Sequence, residues 1–432
     1  MGETQDTLLT EQMASLLTVM WLQEQAHQLG VVKRQRLVHI TDFVWTLIVA
    51  FGTGKDTTLT ALCSTFNLHT GLDLAQSSFN KRFTPQMATL MATSVTHLLQ
   101  TARESLPRFD SKWLDYFSNL TAIDATIIRV HDSLRSLWPS CTAGQAAIKL
   151  HAVHNVTHAM PHKFQLSAGT LHDSKPWRRL GAWVKGHLLL FDLGYYNFNF
   201  FARLQAKGAL FVTRAKSDFN PVILKVHGKT RGQAMEVEGK RLAEVLPRLR
   251  RKVLDAEVEV THKTRKYKEK QRTKTMRLRL VMVYNEETGQ YHRYLCNLDP
   301  QIQDGLMVAA LYGLRWEVEL LFKALKSSSG GLVKVPGKRA CVVECLVWAS
   351  IAKLLISRIM LRRVRKQRGV LERHIPENRW DKRLCDIASQ LLNALVQRRR
   401  AASADPLMDF LLRTAPDPNR HRRTPLDSLA LC

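Results

Sequence analysis

One stretch about three-quarters of the way along the chain carries side chains that could act together on a phosphodiester. Gln301 to Lys326 contains no proline, and its apolar residues recur at three- and four-residue intervals, which predicts a helix over Met307–Lys326. This helix carries a phenol, a guanidinium, a carboxylate and an ammonium: Tyr312, Arg315, Glu319 and Lys326. At about 100° per residue, the four fall within an arc of about 60° along roughly 20 Å of helix. The acid could hold a metal ion, and the cations and the hydroxyl could bind phosphates beside it.

An ordinary interpretation competes with this one. Arg315 and Glu319 are four residues apart, as are Glu319 and Lys323, and such pairs are common on solvated helix faces. On the helix alone the two interpretations are about equal. The spacing Y-x2-R-x3-E-x6-K, however, resembles the signature of the insertion-sequence-four family of DDE transposases, and all four residues stand at that spacing. The resemblance implies two further aspartates upstream, each within a strand or at its end.

The first upstream aspartate lies in a segment rich in β-branched and apolar residues. This segment, Leu120–Val130, predicts a strand, with Asp124 near its centre. An acid inside an apolar strand is costly unless it is paired or binds a metal ion. A hydrogen-bonded buried aspartate is the ordinary alternative, and Asp132 falls in the loop beyond the strand. The resemblance assigns the first catalytic acid to Asp124.

The second upstream aspartate follows a short apolar run directly. His187–Phe191 predicts a buried strand, and Asp192 opens the sequence D-L-G-Y-Y, which resembles the family's second-aspartate motif. Its ordinary alternative is a helix N-cap, a position that favours aspartate. Asp173 and Asp218 compete for the role, but neither ends a core strand next to the first one. The resemblance assigns the second catalytic acid to Asp192.

The segments around these acids alternate between strand and helix patterns. The predicted order is three strands, helix, strand, helix and strand, over Leu120–Val130, Ala147–Val156, Lys163–Thr170, Ser174–Lys185, His187–Phe191, Tyr195–Ala206 and Ala209–Arg214. This is the order of an RNase H-like domain, in which the first and fourth strands are neighbours. Asp124 and Asp192 would then meet at one edge of the sheet.

The segments outside this core differ in pattern and suggest further domains. Helix-period residues cover Leu8–Leu29 and Gln35–Phe51, and Thr58–Phe66 and Leu72–Phe83 resemble a helix-turn-helix DNA reader, with plain helical packing as the alternative. We predict an α/β protein with an RNase H-like catalytic core, a helical N-terminal domain, a β-rich insertion and a helical C-terminal region. The predicted boundaries are 1–105 for the N-terminal DNA-binding domain, 106–215 and 301–366 for the core, 216–300 for the insertion, and 367–432 for the C-terminal helices and basic tail.

The predicted insertion carries a dense run of basic residues. They are Lys263, Arg265, Lys266, Lys268, Lys270, Arg272 and Lys274. Such a run is usually only solvated, but in so basic a protein it more readily lies along a DNA backbone. In some relatives an aromatic residue of the insertion stacks on a flipped base during hairpin formation. The stretch here contains no tryptophan, which leaves the hairpin step open.

Composition limits the class of protein. The 432 residues include 64 Lys and Arg against 37 Asp and Glu, a net charge of +27, which predicts a nucleic-acid partner. With 45% hydrophobic and 23% charged residues the chain is globular rather than disordered. Seven scattered cysteines indicate reduced thiols rather than disulfides or zinc. The N-terminus does not resemble a signal peptide, and charges interrupt the apolar run Cys341–Leu361, so we expect a cytoplasmic, nucleoid-associated prokaryotic protein without a membrane partner.

The resemblance implies a complete function. Asp124, Asp192 and Glu319 would hold two Mg²⁺ ions, with Mn²⁺ as a substitute, and Tyr312, Arg315 and Lys326 would bind DNA phosphates. The enzyme would cut double-stranded DNA at the terminal inverted repeats of an insertion sequence and join the 3′-OH ends to target DNA, as a homodimer in the DNA complex. The rivals are a catalytically inactive transposase-derived DNA-binding protein and an RNase H-fold nuclease. A basic RNA-binding protein would need aromatic motifs on which single-stranded bases stack, and the chain lacks such motifs.

Overall fold

A mixed sheet with helices packed against it forms the centre of the computed structural model. The structure describes residues 9–34, 37–105, 116–177, 181–227, 236–264, 271–327, 331–332, 335–369, 374–397 and 405–417. Over these residues the fold is α/β, as the alternation of segments predicts.

The sheet has nine strands within the described residues. They are β1 (Asn119–Val130), β2 (Ala146–Asn155), β3 (Met160–Ala168), β4 (His187–Phe191), β5 (Leu210–Arg214), β6 (Val222–Val226), β7 (Val253–Lys263), β8 (Thr273–Asn285) and β9 (Gln290–Cys296). Their spatial order is β3-β2-β1-β4-β5-β9-β8-β7-β6. The pairs β1–β4 and β4–β5 are parallel, whereas the other pairs are antiparallel. The predicted contact between the first and fourth strands is confirmed.

The helices of the described part of the chain flank this sheet. They are α1 (Leu9–Ala14), α2 (Val19–Gln28), α3 (Ile40–Thr46, continued by a π-helical segment over Leu47–Phe51), α4 (Leu59–Thr70), α5 (Gln76–Asn80), α6 (Pro85–Ser105), α7 (Phe198–Ala206), α8 (Leu242–Val245), α9 (Gly305–Gly313), α10 (Trp316–Lys326), α11 (Ala340–Arg368), α12 (Glu377–Asp386), α13 (Ala388–Gln397) and α14 (Pro406–Thr414). Apolar residues of α3, α6, α11 and α13 form one buried cluster with one face of β1 and β2. The N-terminal and C-terminal helices therefore share a hydrophobic core with the sheet.

The strands of the predicted insertion continue the same sheet. The link is β9, which pairs antiparallel with β5 on one side and with β8 on the other. Of the basic run, the structure describes Lys263, Arg272 and Lys274 on or beside the β7–β8 hairpin. The remaining cations of the run, at 265, 266, 268 and 270, lie outside the described residues. The β-rich prediction for this region is confirmed, while its boundaries as a domain stay a prediction.

The predicted helix over Ser174–Lys185 is wrong in the part that is described. Turns occupy residues 173–177, and among the described residues of this span the only helical piece is a single 3-10 turn over Ala182–Val184. Pro176 disfavours helical backbone at the residue before it, and Gly181 adopts an extended conformation just before the short turn. Periodicity alone did not reveal these two interruptions.

The predicted single helix over Met307–Lys326 is also wrong, because α9 and α10 are separate. Between them the amides of Leu314 and Arg315 bond to carbonyls three residues back, those of Leu311 and Tyr312, at 3.1 and 3.0 Å. Gly313, a weak helix former, directly precedes this tightened junction. The angles of a straight helix therefore do not relate Tyr312 to Glu319.

Several terminal helices are shorter than predicted. The segment Leu8–Leu29 divides into α1 and α2, and Leu384–Arg399 corresponds to α12 and α13. The second helix of a helix-turn-helix reader was predicted over Leu72–Phe83, but the helix found there, α5, has only five residues. Gly71 ends α4 in the left-handed conformation. DNA reading by this region stays a prediction, and the tail from residue 418 lies outside the described residues.

One helix, α11, is long and apolar enough to cross a membrane, among the residues that the structure describes. Inside the protein, 78% of its most apolar window is buried. The helix packs against α6 and belongs to the same buried cluster as residues of β1 and β2, which agrees with the expected core helix.

Candidate active site

The register of two parallel strands brings the two predicted aspartates side by side. The last registered pair of β1 and β4 is Ile123 with Phe191, so Asp124 and Asp192 follow at the same level. Asp124 is still within β1, opposite Ala152 of β2, whereas Asp192 is the first residue beyond β4. Residues in register on parallel strands point to the same face of a sheet, so this register brings the two residues close together at one end of the strand pair.

The Asp124 carboxylate is largely enclosed, with its side chain 22% exposed. Its Oδ1 accepts a hydrogen bond from the amide of Ala125 at 2.8 Å, and its Oδ2 lies 3.3 Å from Nη1 of Arg315. Burial raises the pKa of Asp124 to about 6. The charges of Asp192 and Glu319 raise this pKa as well, while the Ala125 amide and Arg315 oppose the rise. The three predicted acids are therefore close enough to influence one another.

Asp192 lies at the N-terminus of a 3-10 turn over Leu193–Tyr195, but its side chain caps nothing. Its carbonyl accepts the amide of Tyr195 at 3.0 Å, and the following helix α7 is capped by Asn197 instead. Tyr195, the last residue of this turn, is buried, and its ring centroid lies 5.8 Å from that of Phe191. The ordinary alternative of helix capping therefore does not use the Asp192 carboxylate, which is left available for other chemistry.

Arg315 lies between the other two acids. One of its terminal nitrogens donates to Oε1 of Glu319 and the other lies near Oδ2 of Asp124. The Arg315 side chain is 14% exposed and that of Glu319 is 31% exposed. Since α10 starts immediately after Arg315, the tightened junction with α9 decides where this guanidinium lies.

The two remaining predicted residues lie at opposite ends of this arrangement. Tyr312, at the end of α9, is buried, and its ring centroid lies 5.7 Å from the guanidinium carbon of Arg315. Burial raises the pKa of Tyr312 above its ordinary value. Lys326 is the last residue of α10, and burial lowers the pKa of its ammonium. Tyr312 thus joins the acids through Arg315, while Lys326 lies about 10 Å further along the helix axis from Glu319.

The donor set suits a hard divalent cation, although the side chains do not form a ready metal centre. Carboxylate oxygens are the ligands that Mg²⁺ prefers, and three of them belong to this site. Within the described ranges, no three Asp, Glu, His or Cys side chains stand close enough to hold a metal ion. The guanidinium of Arg315 supplies the positive charge between Asp124 and Glu319. A cation would have to take over that position.

A second charged pair next to this site was missed by the sequence analysis. Lys149 of β2 donates to Oδ1 of Asp173 at 2.8 Å, and Asp173 packs against the turn that follows Asp192. Asp173 was considered only as a competitor for the second catalytic acid. Lys149 carried a usable signal, because a lysine inside the apolar strand AAIKLHAV is as costly as Asp124 is in its own strand.

Comparisons with known proteins identify a family for this chain. Residues 115–351 match the family model described as the transposase DDE domain. The chain is 23% identical over 362 residues to the transposase for insertion sequence element IS231B of Bacillus thuringiensis subsp. berliner, covering 74% of this chain and 73% of that protein. It is 21% identical over 330 residues to the transposase for insertion sequence element IS1151 of Clostridium perfringens, covering 69% of each chain.

A solved structure also aligns with most of the chain. The piggyBac transposase synaptic complex with hairpin DNA superimposes with a TM-score of 0.47 at 10% identity, covering 96% of this chain and 87% of that one. The match to the family model is the decisive comparison, because it spans more than half of the 432 residues. This chain belongs to the family of DNA transposases with a DDE domain.

Proposed function

We propose that this protein cuts DNA at the terminal inverted repeats of an insertion sequence and joins the freed 3′-OH ends to target DNA. One observation carries the proposal: carboxylates far apart in the sequence come together in the fold. Asp124 and Asp192 follow the last registered pair of β1 and β4, and Arg315 bonds to both Asp124 and Glu319. The pKa of Asp124 is raised by burial and by the charges of both Asp192 and Glu319. The signature spacing of Tyr312, Arg315, Glu319 and Lys326 supports membership of the insertion-sequence-four group.

The proposed scaffold is an RNase H-like core. Its support is the order of the first five strands, in which β1 lies between β2 and β4 and runs parallel to β4. Connections between parallel neighbours leave the ends of those strands at one edge of the sheet, where Asp192 and the α9–α10 junction lie.

Asp124, Asp192 and Glu319 are the residues that would hold the metal ions. When bound, a pair of divalent cations would lower the pKa of an attacking water or 3′-hydroxyl and stabilise the leaving oxygen. Because all three donors are carboxylates, Mg²⁺ is the expected ion, with Mn²⁺ as its substitute. The partly enclosed position of Asp124 keeps competing water away from one side of the site.

The three cationic or phenolic side chains would hold the DNA strand. Once released from Asp124 and Glu319, the Arg315 guanidinium can bind a phosphate through two parallel hydrogen bonds. Tyr312, whose ring lies beside Arg315, limits where that guanidinium can move. Lys326, at the end of α10, would bind a phosphate further along the strand. Together these residues would place the strand end for in-line attack.

The proposed partner is double-stranded DNA, at both the element ends and the target. The net charge of +27 supports it, because neutralising phosphates releases counterions. Two ends have to be paired before joining, so we propose a homodimer in the DNA complex, acting in a prokaryotic cytoplasm at the nucleoid.

Three substitutions test the site: Asp124→Asn, Asp192→Asn and Glu319→Gln. Each should lower Mg²⁺-dependent cleavage of an element-end duplex by more than about 100-fold, because even partners of metal ligands are worth 10- to 100-fold. Asp132→Asn is the matched control, since Asp132 lies beyond β1 with an exposed side chain paired to Arg129. Full cleavage by any of the three variants would remove that residue from the mechanism.

The same assay separates the rival functions by their products. A transposase-derived protein without catalysis would bind the duplex and leave it uncut. A general nuclease of the RNase H fold would cut it without joining either end to a second duplex. Strand-transfer products that require the terminal repeats would support the proposed function over both.

A further inference from the structure

A half-buried ion pair lies directly behind the turn that carries Asp192. Nζ of Lys149 donates to Oδ1 of Asp173 at 2.8 Å and to the carbonyl oxygen of Leu171 at 2.7 Å. The two side chains are 12% and 28% exposed. We call this pair the Lys149–Asp173 clamp. One ammonium on β2 thus holds the loop after β3 at two points.

The other oxygen of the clamp carboxylate packs against the turn. A Cβ built on Gly194 would lie 2.7 Å from Oδ2 of Asp173, a distance that real Cβ atoms do not reach. Gly194 has no positive φ, so a methyl group here would meet the carboxylate without backbone strain, and the carboxylate would have to shift. Gly194 is two residues after Asp192, within the 3-10 turn Leu193–Tyr195.

The clamp carboxylate also lies near the buried side chain of Tyr195, the last residue of the turn. Burial raises the pKa of Tyr195 well above its ordinary value, and the charges of Asp124 and Asp173 raise it further. The Tyr195 hydroxyl is therefore within electrostatic range of both carboxylates. Asp192 directly precedes the turn that packs against Asp173, so a shift of the turn changes the place of Asp192 relative to Asp124.

We infer that Asp173, held by Lys149 and packed against Gly194, is a positioning residue that aims Asp192 at Asp124. The inference rests on the proposed metal-binding role of Asp192. A carboxylate on a short side chain with one oxygen fixed by an ammonium cannot retreat easily. The clamp thereby holds the turn at a constant distance from β2. It also holds the Asp192 carboxylate in place, because Asp192 directly precedes the turn.

A pair of substitutions that compensate each other tests the packing directly. Gly194→Ala should lower element-end cleavage about 10- to 100-fold, since small displacements of a reacting group cost that much. Asp173→Ala should lower it as well, because the turn loses its support. The double variant should cleave better than either single variant, since the methyl group occupies space that the carboxylate has left. Independent effects that multiply in the double variant would overturn the inference.

Metal affinity separates positioning from simple loss of fold. In Asp173→Ala and Gly194→Ala, calorimetric titration with Mn²⁺ should show about tenfold weaker binding, while circular dichroism at the same temperature shows that both variants remain folded. Asp173→Asn should lose less than Asp173→Ala, because the amide keeps the bulk against Gly194 and an oxygen for Lys149. Unchanged Mn²⁺ affinity in Asp173→Ala would show that the clamp is only structural.

Two controls accompany these variants. Glu286→Ala removes the exposed ion pair of Lys252 and Glu286, and it should change neither cleavage nor Mn²⁺ affinity. Gly313→Ala adds a Cβ to an exposed glycine with nothing within 4 Å, so it should not lower the melting temperature.

Asp192→Asn distinguishes failure of the inference from failure of the proposed function. If Asp192→Asn cleaves normally, the proposed function fails and the clamp has no catalytic residue to position. If Asp192→Asn is inactive while Asp173→Ala and Gly194→Ala behave like the parent protein, only the clamp inference is overturned.

Discussion

At the scale of single residues, Arg315 decides the electrostatic state of the candidate site. Asp124 and Glu319 would repel each other if nothing positive lay between them, and burial strengthens that repulsion. The guanidinium bonds to both and is itself largely enclosed. A divalent cation and Arg315 therefore compete for the same carboxylates. The residue proposed to bind DNA also keeps the acids together when no cation is present.

Arg315→Gln should consequently bind metal more tightly in the absence of DNA. Hydrogen bonds to charged groups are worth about 1.5–3 kcal/mol, so losing them should raise the Mn²⁺ affinity by about tenfold or more. Strand transfer should nevertheless fall, because a phosphate contact is lost. Calorimetry and a strand-transfer assay measure the two effects. Lys323→Gln, an exposed cation one turn beyond Glu319, is the control, and weaker metal binding in Arg315→Gln would contradict the competition.

At the scale of elements, the β7–β8 hairpin extends the core sheet outward and carries exposed cations near its tip. Lys263 ends β7, Lys274 lies at the start of β8, and Arg272 lies just before it. The two strands pair over their whole length, from Val253 with Val283 to Lys263 with Thr273. A stiff hairpin holds these charges at a set distance from the core, as contacts to a DNA backbone require.

Replacing Lys263, Arg272 and Lys274 by glutamine should weaken DNA binding without changing its sequence preference. Each lost phosphate contact should reduce the slope of log affinity against log salt by about 1, hence by about 3 for the triple variant. Filter binding or fluorescence anisotropy, repeated at salt concentrations from about 50 to about 200 mM, measures this slope. An unchanged slope would show that the hairpin points away from DNA. A changed preference between element-end and random duplexes would show base reading instead.

At the scale of the whole molecule, the shared core contains histidines that are kept neutral. His151 on β2 is fully buried and its Nε2 lies 2.8 Å from Oγ of Ser167. Burial lowers the pKa of His151 to about 4, with Asp173 opposing and Lys149 assisting the shift. Burial, Arg358 and Arg362 lower the pKa of His154 as well. The fold therefore favours the neutral form of both residues.

This arrangement predicts a loss of stability in mild acid. In the unfolded chain histidine titrates near 6.5, above the folded pKa, so the unfolded state takes up protons first as the pH falls. The stabilisation is complete above about pH 6.5 and decreases by about 1.4 kcal/mol per unit for His151 until about pH 4. Urea unfolding at pH 7.5, 6 and 5 measures it. His151→Gln should show a shallower decline, and an equal decline would assign the acid sensitivity to other groups.

Much of the local structure could be predicted from the sequence. The strand around Asp124, the short strand before Asp192, and the helical spacing of Arg315 and Glu319 follow from patterns within a few residues. The segment Ser174–Lys185 was predicted wrongly from such patterns. Its periodicity resembles that of a helix, but Pro176 and Gly181 interrupt it. The α9–α10 junction could not be predicted from such patterns either, and its tightened hydrogen bonding changes the direction of Arg315.

The sequence by itself determined which residue types could perform phosphodiester chemistry, since acids within apolar strands and a spaced set of cations are recognisable without a fold. Only the tertiary structure decided how they meet: the register that aligns Asp124 with Asp192, the guanidinium between Asp124 and Glu319, and the approach of Asp173 to Gly194. These contacts join segments far apart in the chain. They depend on strand pairing and packing distances, which patterns among neighbouring residues do not record.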